Sequence, residues 1–155
     1  MNRLLQAFRS SSIIFSLVLL FAVGCATTNG MSQQQVIKVT LTGDQEVPPV
    51  KTSGSGSGTI VISADKSVSG SVKTSGVEGI VAHIHDSVPG QMCGAKNGPV
   101  IIPLTKGPDN TWSVPAGAKL TDAQYASFQA GNLYVNVHTA ANKGGEVCSK
   151  LTPVK

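Results

Sequence analysis

Ile80-Val81-Ala82-His83-Ile84-His85 sets two imidazoles at i and i+2 inside an alternating apolar run. In an extended strand, residues two apart share a face, so the Cα atoms of His83 and His85 lie roughly 7 Å apart and both side chains can turn towards one ion. The same alternation puts Ile80, Ala82 and Ile84 on the other, core-facing side, with Val81 beside the histidines. His138, the only other histidine, closes a second alternating run, Leu133-Tyr134-Val135-Asn136-Val137-His138. Alternation there groups His138 with Tyr134 and Asn136, away from Leu133, Val135 and Val137. If the two strands are neighbours, all three imidazoles of the chain meet.

Outward from these runs the chain keeps a β pattern. Val36 to Leu41 is β-branched and alternating and reads as a first strand ending at Gly43. Adjacent prolines in Glu46-Val47-Pro48-Pro49-Val50 exclude helix and call for an extended edge. Ser53 to Gly58, alternating Ser and Gly, reads as a loop or a glycine-rich start to the next strand. Thr59 to Ser63 and Val68 to Thr74 are joined by Ala64-Asp65-Lys66-Ser67, a hairpin-like connection. Asp86 to Gly98 reads as a surface loop, Pro99 to Leu104 as a strand, Gly107 to Asn110 as a turn, and the residues around Trp112 as a brief strand. Thr121-Asp122-Ala123-Gln124 is a capping-box pattern, Leu120 and Tyr125 are spaced as a hydrophobic staple, and Gly131 supplies a stop, so Thr121 to Ala130 reads as the one helix. With Leu133 to Thr139 and Glu146 to Leu151, this amounts to an all-β, Greek-key-like antiparallel β-sandwich of about seven or eight strands carrying one short helix.

The N-terminus stands apart from that domain. Arg3 and Arg9 precede an apolar stretch from Ile13 to Val23, interrupted by Ser16, and Ala22-Val23-Gly24-Cys25 is a small-residue site ending in cysteine. The apolar run is shorter than the ~20 residues a spanning helix needs, so residues 1–24 are expected to be a secretion signal. The site resembles a bacterial lipobox, which makes Cys25 the lipidated mature N-terminus; the alternative is an ordinary signal peptide with an incidental cysteine. Residues 25–35 then form a polar tether and residues 36–155 the folded domain. The expected location is the cell envelope, on the membrane through the lipid. In a diderm, the absence of Asp after Cys25 points to the periplasmic side of the outer membrane.

The signal also takes both arginines. Of twelve basic residues, ten lysines remain against eight acids, so the overall net charge of +4 overstates how basic the domain is. The lysines are scattered singly and form no stripe or patch for nucleic acid.

Five ordered motifs carry a family likeness: Glu46-Val47-Pro48-Pro49, Ala82-His83-Ile84-His85, Asn97-Gly98-Pro99-Val100, Tyr134-Val135-Asn136-Val137-His138-Thr139 and Gly145-Glu146. Together they resemble the CHRD domain, the module named after chordin and found in many exported bacterial proteins, from about Leu41 to Leu151. The resemblance implies an all-β fold outside the cytoplasm. In chordin the module belongs to a protein that binds growth factors. Two departures from the usual pattern occur together: the loop after His85 is lengthened and holds Cys93, and Cys148 stands where an arginine is usual. With Cys25 taken by lipid, the paired departures imply a Cys93–Cys148 disulfide, as an oxidising compartment favours.

A weaker likeness is to copper-zinc superoxide dismutases, in which a His-x-His strand, a cysteine-bearing loop, a late histidine and a last-strand cysteine follow in the order of His83, His85, Cys93, His138 and Cys148. A fourth histidine, a zinc cluster and an arginine to guide an anion are missing.

Three neutral imidazoles suit copper, zinc or nickel. Copper is the expected ion, from the dismutase-like order and from Met92 as a candidate soft ligand, with zinc the alternative. Asp86 and Glu146 are candidate partners of the ring N–H groups, and Asn136 shares the face of His138. The functions to separate are metal handling with a donor or acceptor protein, a redox enzyme on the same site, and an adhesion or interaction module with structural histidines.

Overall fold

The computed structural model describes residues 33–87, 93 and 97–154. Residues 1–24, where a signal is expected, Cys25 and Met92 lie outside them. Among the described residues nine strands and one α-helix follow in chain order: β1 (Gln34–Thr42), β2 (Ser55–Ser63), β3 (Val68–Ser75), β4 (Gly79–Asp86), β5 (Val100–Pro103), β6 (Thr105–Lys106), β7 (Thr111–Ser113), α1 (Asp122–Gln129), β8 (Leu133–Thr139) and β9 (Val147–Lys150). All neighbours are antiparallel, in the order β5-β4-β8-β9-β1-β2-β3-β7-β6.

The two ends of that order are consecutive in the chain, separated by Leu104 alone. The segment from Val100 to Lys106 leaves β4 and joins β7, and the Leu104 amide donates to Ala82 O at 2.9 Å as it crosses. The sheet therefore curls almost onto itself, a sandwich verging on a barrel. Leu41, Ile60, Ile62, Val72, Ile84, Trp112, Phe128, Leu133, Val135 and Val137 fill the interior. The Ser/Gly stretch is the start of β2: a Cβ on Gly58 would sit 2.1 Å from Ser71 O on β3, so only glycine permits that strand spacing.

The helix forms as its caps dictate. Thr121 Oγ1 accepts from the Gln124 amide, Gln124 Oε1 accepts from the Thr121 amide, and Gly131 leaves the helix at φ +76°. Leu120 and Tyr125 both join the core that α1 covers.

One side chain is not where alternation puts it. Ile80, expected in the core, is 55% exposed. Gly79 pairs with Thr139 and Val81 with His138, so Ile80 is the extra residue of a bulge that strict period-2 reading cannot see. Beyond the bulge the alternation resumes, with Ala82 and Ile84 buried in the core and His83 and His85 on the opposite face.

Candidate metal centre

β4 and β8 are neighbours in the sheet, with His83 opposite Asn136, His85 opposite Tyr134 and Val81 opposite His138. His138 thus stands diagonally across from His83, on the same face. The three rings converge: His138 Nε2 lies 3.3 Å from His83 Nδ1 and 3.3 Å from His85 Nε2. Ligand atoms of all three lie within 4.8 Å of one another. Two imidazole nitrogens bound about 2.0–2.1 Å from one ion at a tetrahedral angle stand about 3.3 Å apart, so the cluster has the span of a single coordination sphere. Three histidines are therefore close enough to hold one metal ion. Among the described residues no second group of three His, Cys, Asp or Glu ligands converges.

The proton positions follow from the partners. His85 Nδ1 is 2.8 Å from Gly98 O, and His138 Nδ1 is 3.0 Å from Lys143 O. A carbonyl oxygen only accepts, so both Nδ1 atoms carry the proton and both Nε2 atoms are bare. Burial pushes all three imidazoles below their ordinary pKa, His85 to about 4 against a raising effect of the Gly98 carbonyl. At neutral pH the bare nitrogens of His85 and His138 thus face each other, a contact between two lone pairs that a cation would relieve.

Supporting residues enclose the cluster. Tyr134 stacks on His85 with ring centroids 5.1 Å apart and planes 11° from parallel. Its hydroxyl accepts from the Gly98 amide and donates to Asn97 Oδ1, so the ring that covers His85 also holds the loop whose carbonyl orients it. Cys148 stands opposite Asn136 in the β8–β9 ladder and lies within disulfide distance of Cys93, their Cα atoms 6.2 Å apart. Both cysteines are buried and pack with Tyr134. The pairing ties the loop after His85 to the histidine face of the sheet.

The acidic candidates for orienting the rings do not touch them. Asp86 accepts from Ser127, and Glu146 accepts from Thr52, Thr139 and Asn142, stapling the β8–β9 loop to the segment before β2. Burial raises the Glu146 carboxyl, but these three hydrogen bonds outweigh it and hold the group below its ordinary range. Asn136 donates to Gly144 O at 3.1 Å and not to a histidine.

Sequence reasoning passed over the groups that do orient the rings, the Gly98 and Lys143 carbonyls. It also passed over Glu46, 2% exposed at the start of the proline segment, beside a cleft of about 340 Å³ that Val47, Pro48, Lys143 and Gly145 help to line.

The family model of the CHRD domain matches residues 37–151. No curated protein and no solved structure matches the chain. The match runs from β1 to the residue after β9, so it takes in all three histidines and both paired cysteines: the chain belongs to the CHRD domain family.

Proposed function

We propose that this CHRD-domain protein binds one transition-metal ion through His83, His85 and His138, copper being the ion it handles and zinc the alternative. The observation that carries the reading is the approach of His85 Nε2 to His138 Nε2 at 3.3 Å while the Nδ1 atom of each is committed to a carbonyl. In a buried site neither nitrogen has a proton to offer the other, and a metal ion satisfies both.

A three-imidazole set leaves a coordination position open, which suits buffering or hand-over to a donor or acceptor protein. Divalent copper outranks zinc in affinity at such nitrogen sites. The residue order shared with the dismutases favours the same ion.

The reading places the protein in the cell envelope, anchored by lipid on Cys25. Its support is the basic start, the apolar run and the small-small-cysteine site of residues 1–25. A pair of cysteines within bonding distance accords with an oxidising compartment.

Titration calorimetry and electron paramagnetic resonance on the full chain in detergent test the site. One Cu(II) per chain with nitrogen hyperfine structure from imidazole is expected. If neither Cu(II) nor Zn(II) binds, the site fails and an interaction or adhesion module takes its place. For the anchor, Cys25→Ser is expected to leave the membrane fraction; a variant that stays there with the wild-type mature mass refutes the lipid.

A further inference from the structure

Two buried acceptors meet beside the histidine strand. Glu46 Oε1 and Asn136 Oδ1 are both enclosed and both lack a hydrogen-bond partner. A Cβ on Gly145 would lie 2.5 Å from the first and 2.4 Å from the second, with Asn136 Nδ2 at 2.2 Å, so the carboxyl and the amide together crowd the one place that only glycine leaves free. Asn136 cannot answer by turning its amide, because Nδ2 already donates to Gly144 O at 3.1 Å and reaches Asn97 Oδ1 at 3.4 Å. A carboxylate against an amide oxygen in a buried place is repulsive; a carboxylic acid there is a donor.

We propose that Glu46 is a positioning residue held as the neutral acid, its proton bridging Oε1 to Asn136 Oδ1 and so fixing the Lys143-Gly144 backbone that orients His138. The relay has three links: Glu46 to Asn136, Asn136 Nδ2 to Gly144 O, and Lys143 O to His138 Nδ1, 3.0 Å apart. Burial pushes the Glu46 carboxyl up to about 7, in the sense the geometry requires, and outweighs the lowering by a side-chain hydrogen bond with Asn136, which favours the anion. Among the described residues, the charged and titratable groups around it are the Tyr134 phenol of β8 and Lys143 on the cleft rim, while Glu146 on the same loop is turned to Thr52, Thr139 and Asn142. Ionising Glu46 would draw the Asn136 amide round, release Gly144 and loosen His138. The consequence for affinity rests on the metal reading; the proton and the His138 hydrogen bond do not.

Infrared spectra of the full chain in detergent, compared between wild type and Glu46→Gln, read the proton directly. A carboxylic-acid carbonyl band present in wild type at mildly acidic pH, absent from E46Q and titrating away towards alkaline pH is expected; its absence from wild type overturns the proposal. The imidazole Nδ1–H resonance of His138 reads the positioning without any metal. It should persist in E46Q, whose amide donates as the acid does, and be lost to exchange in Glu46→Ala; an unchanged resonance in E46A, or one lost in E46Q, refutes the relay. Where E46A does not fold, wild type and E46Q decide alone. Cu(II) affinity should fall about tenfold in E46A and stay at the wild-type value in E46Q. Should wild type bind no metal, the band and the resonance still decide on Glu46.

Discussion

Tyr134 lies flat against His85, directly opposite it in the β4–β8 ladder, and its hydroxyl grips the Gly98 amide and the Asn97 side chain, beside the Gly98 carbonyl that accepts from His85 Nδ1. One side chain thus sets both the tilt of the ring and its tautomer. Tyr134→Phe keeps the stack and loses the grip, so it should lower metal affinity by about tenfold with little change in fold. Tyr134→Ala loses both, and should cost a further ~0.5–1.5 kcal/mol of stability for the stacked pair alone. Calorimetry on the two variants separates grip from stack; equal affinities for Y134F and wild type would show that Gly98 needs no support.

The three histidines are not equal. His138 is the shared neighbour of the other two, so His138→Ala should abolish tight binding, and His85→Ala should come close to it. Both are buried, at 5% and 2% exposure, and removing either leaves a carbonyl without its donor. A loss of ~1–3 kcal/mol of stability is expected for each. His83, half-buried, should lose affinity on substitution while leaving the denaturation midpoint near wild type.

Acid should destabilise the metal-free protein. The folded-state pKa of His85 is depressed to about 4, below its unfolded value near 6.5, so the unfolded chain binds more protons between the two. Stability is therefore fully present above about 6.5 and falls as pH drops through that window. His83 and His138 act in the same direction. Metal binding, too, should outlast the pH of ~6.5 at which exposed histidines begin to compete for protons. Urea titrations of wild type and H85A between neutral and acidic pH check the sign: the gap between them should narrow with acid.

Cys148→Ser, or reduction of the wild type, should cost on the order of 4 kcal/mol, since the pair closes a loop of 55 residues. Metal affinity should fall with it, because the loop so anchored presents the Gly98 carbonyl. Mass spectrometry of unreduced protein finding two free thiols would remove both effects.

The histidine strands were legible because alternation over five or six residues fixes which side chains share a face, and the helix because Thr121 and Gln124 cap it by side-chain chemistry. Ile80 was not, because a bulge adds one residue without any signature of its own. The near-closure escaped for a related cause: Pro99 to Leu104 reads as one strand, whereas the sheet uses Val100 to Pro103 and Thr105 to Lys106 as its two edges. The groups that orient His85 and His138 were invisible in kind, since every residue has a carbonyl and only the folded path selects those of Gly98 and Lys143. Glu46 read as the polar start of a proline segment, and only its enclosure against Asn136 gives it chemistry.

The Val100–Lys106 crossing also bears on how this protein keeps to itself. An open nine-stranded sheet would present two long rows of unpaired amides and carbonyls, ready to recruit another chain. Here the outermost strands are four and two residues long and belong to one continuous stretch that passes from one border to the other. What remains is too short a template for β-strand recruitment, so the molecule resists edge-to-edge aggregation through topology, with Pro103 on one border and Lys106 on the other adding to it.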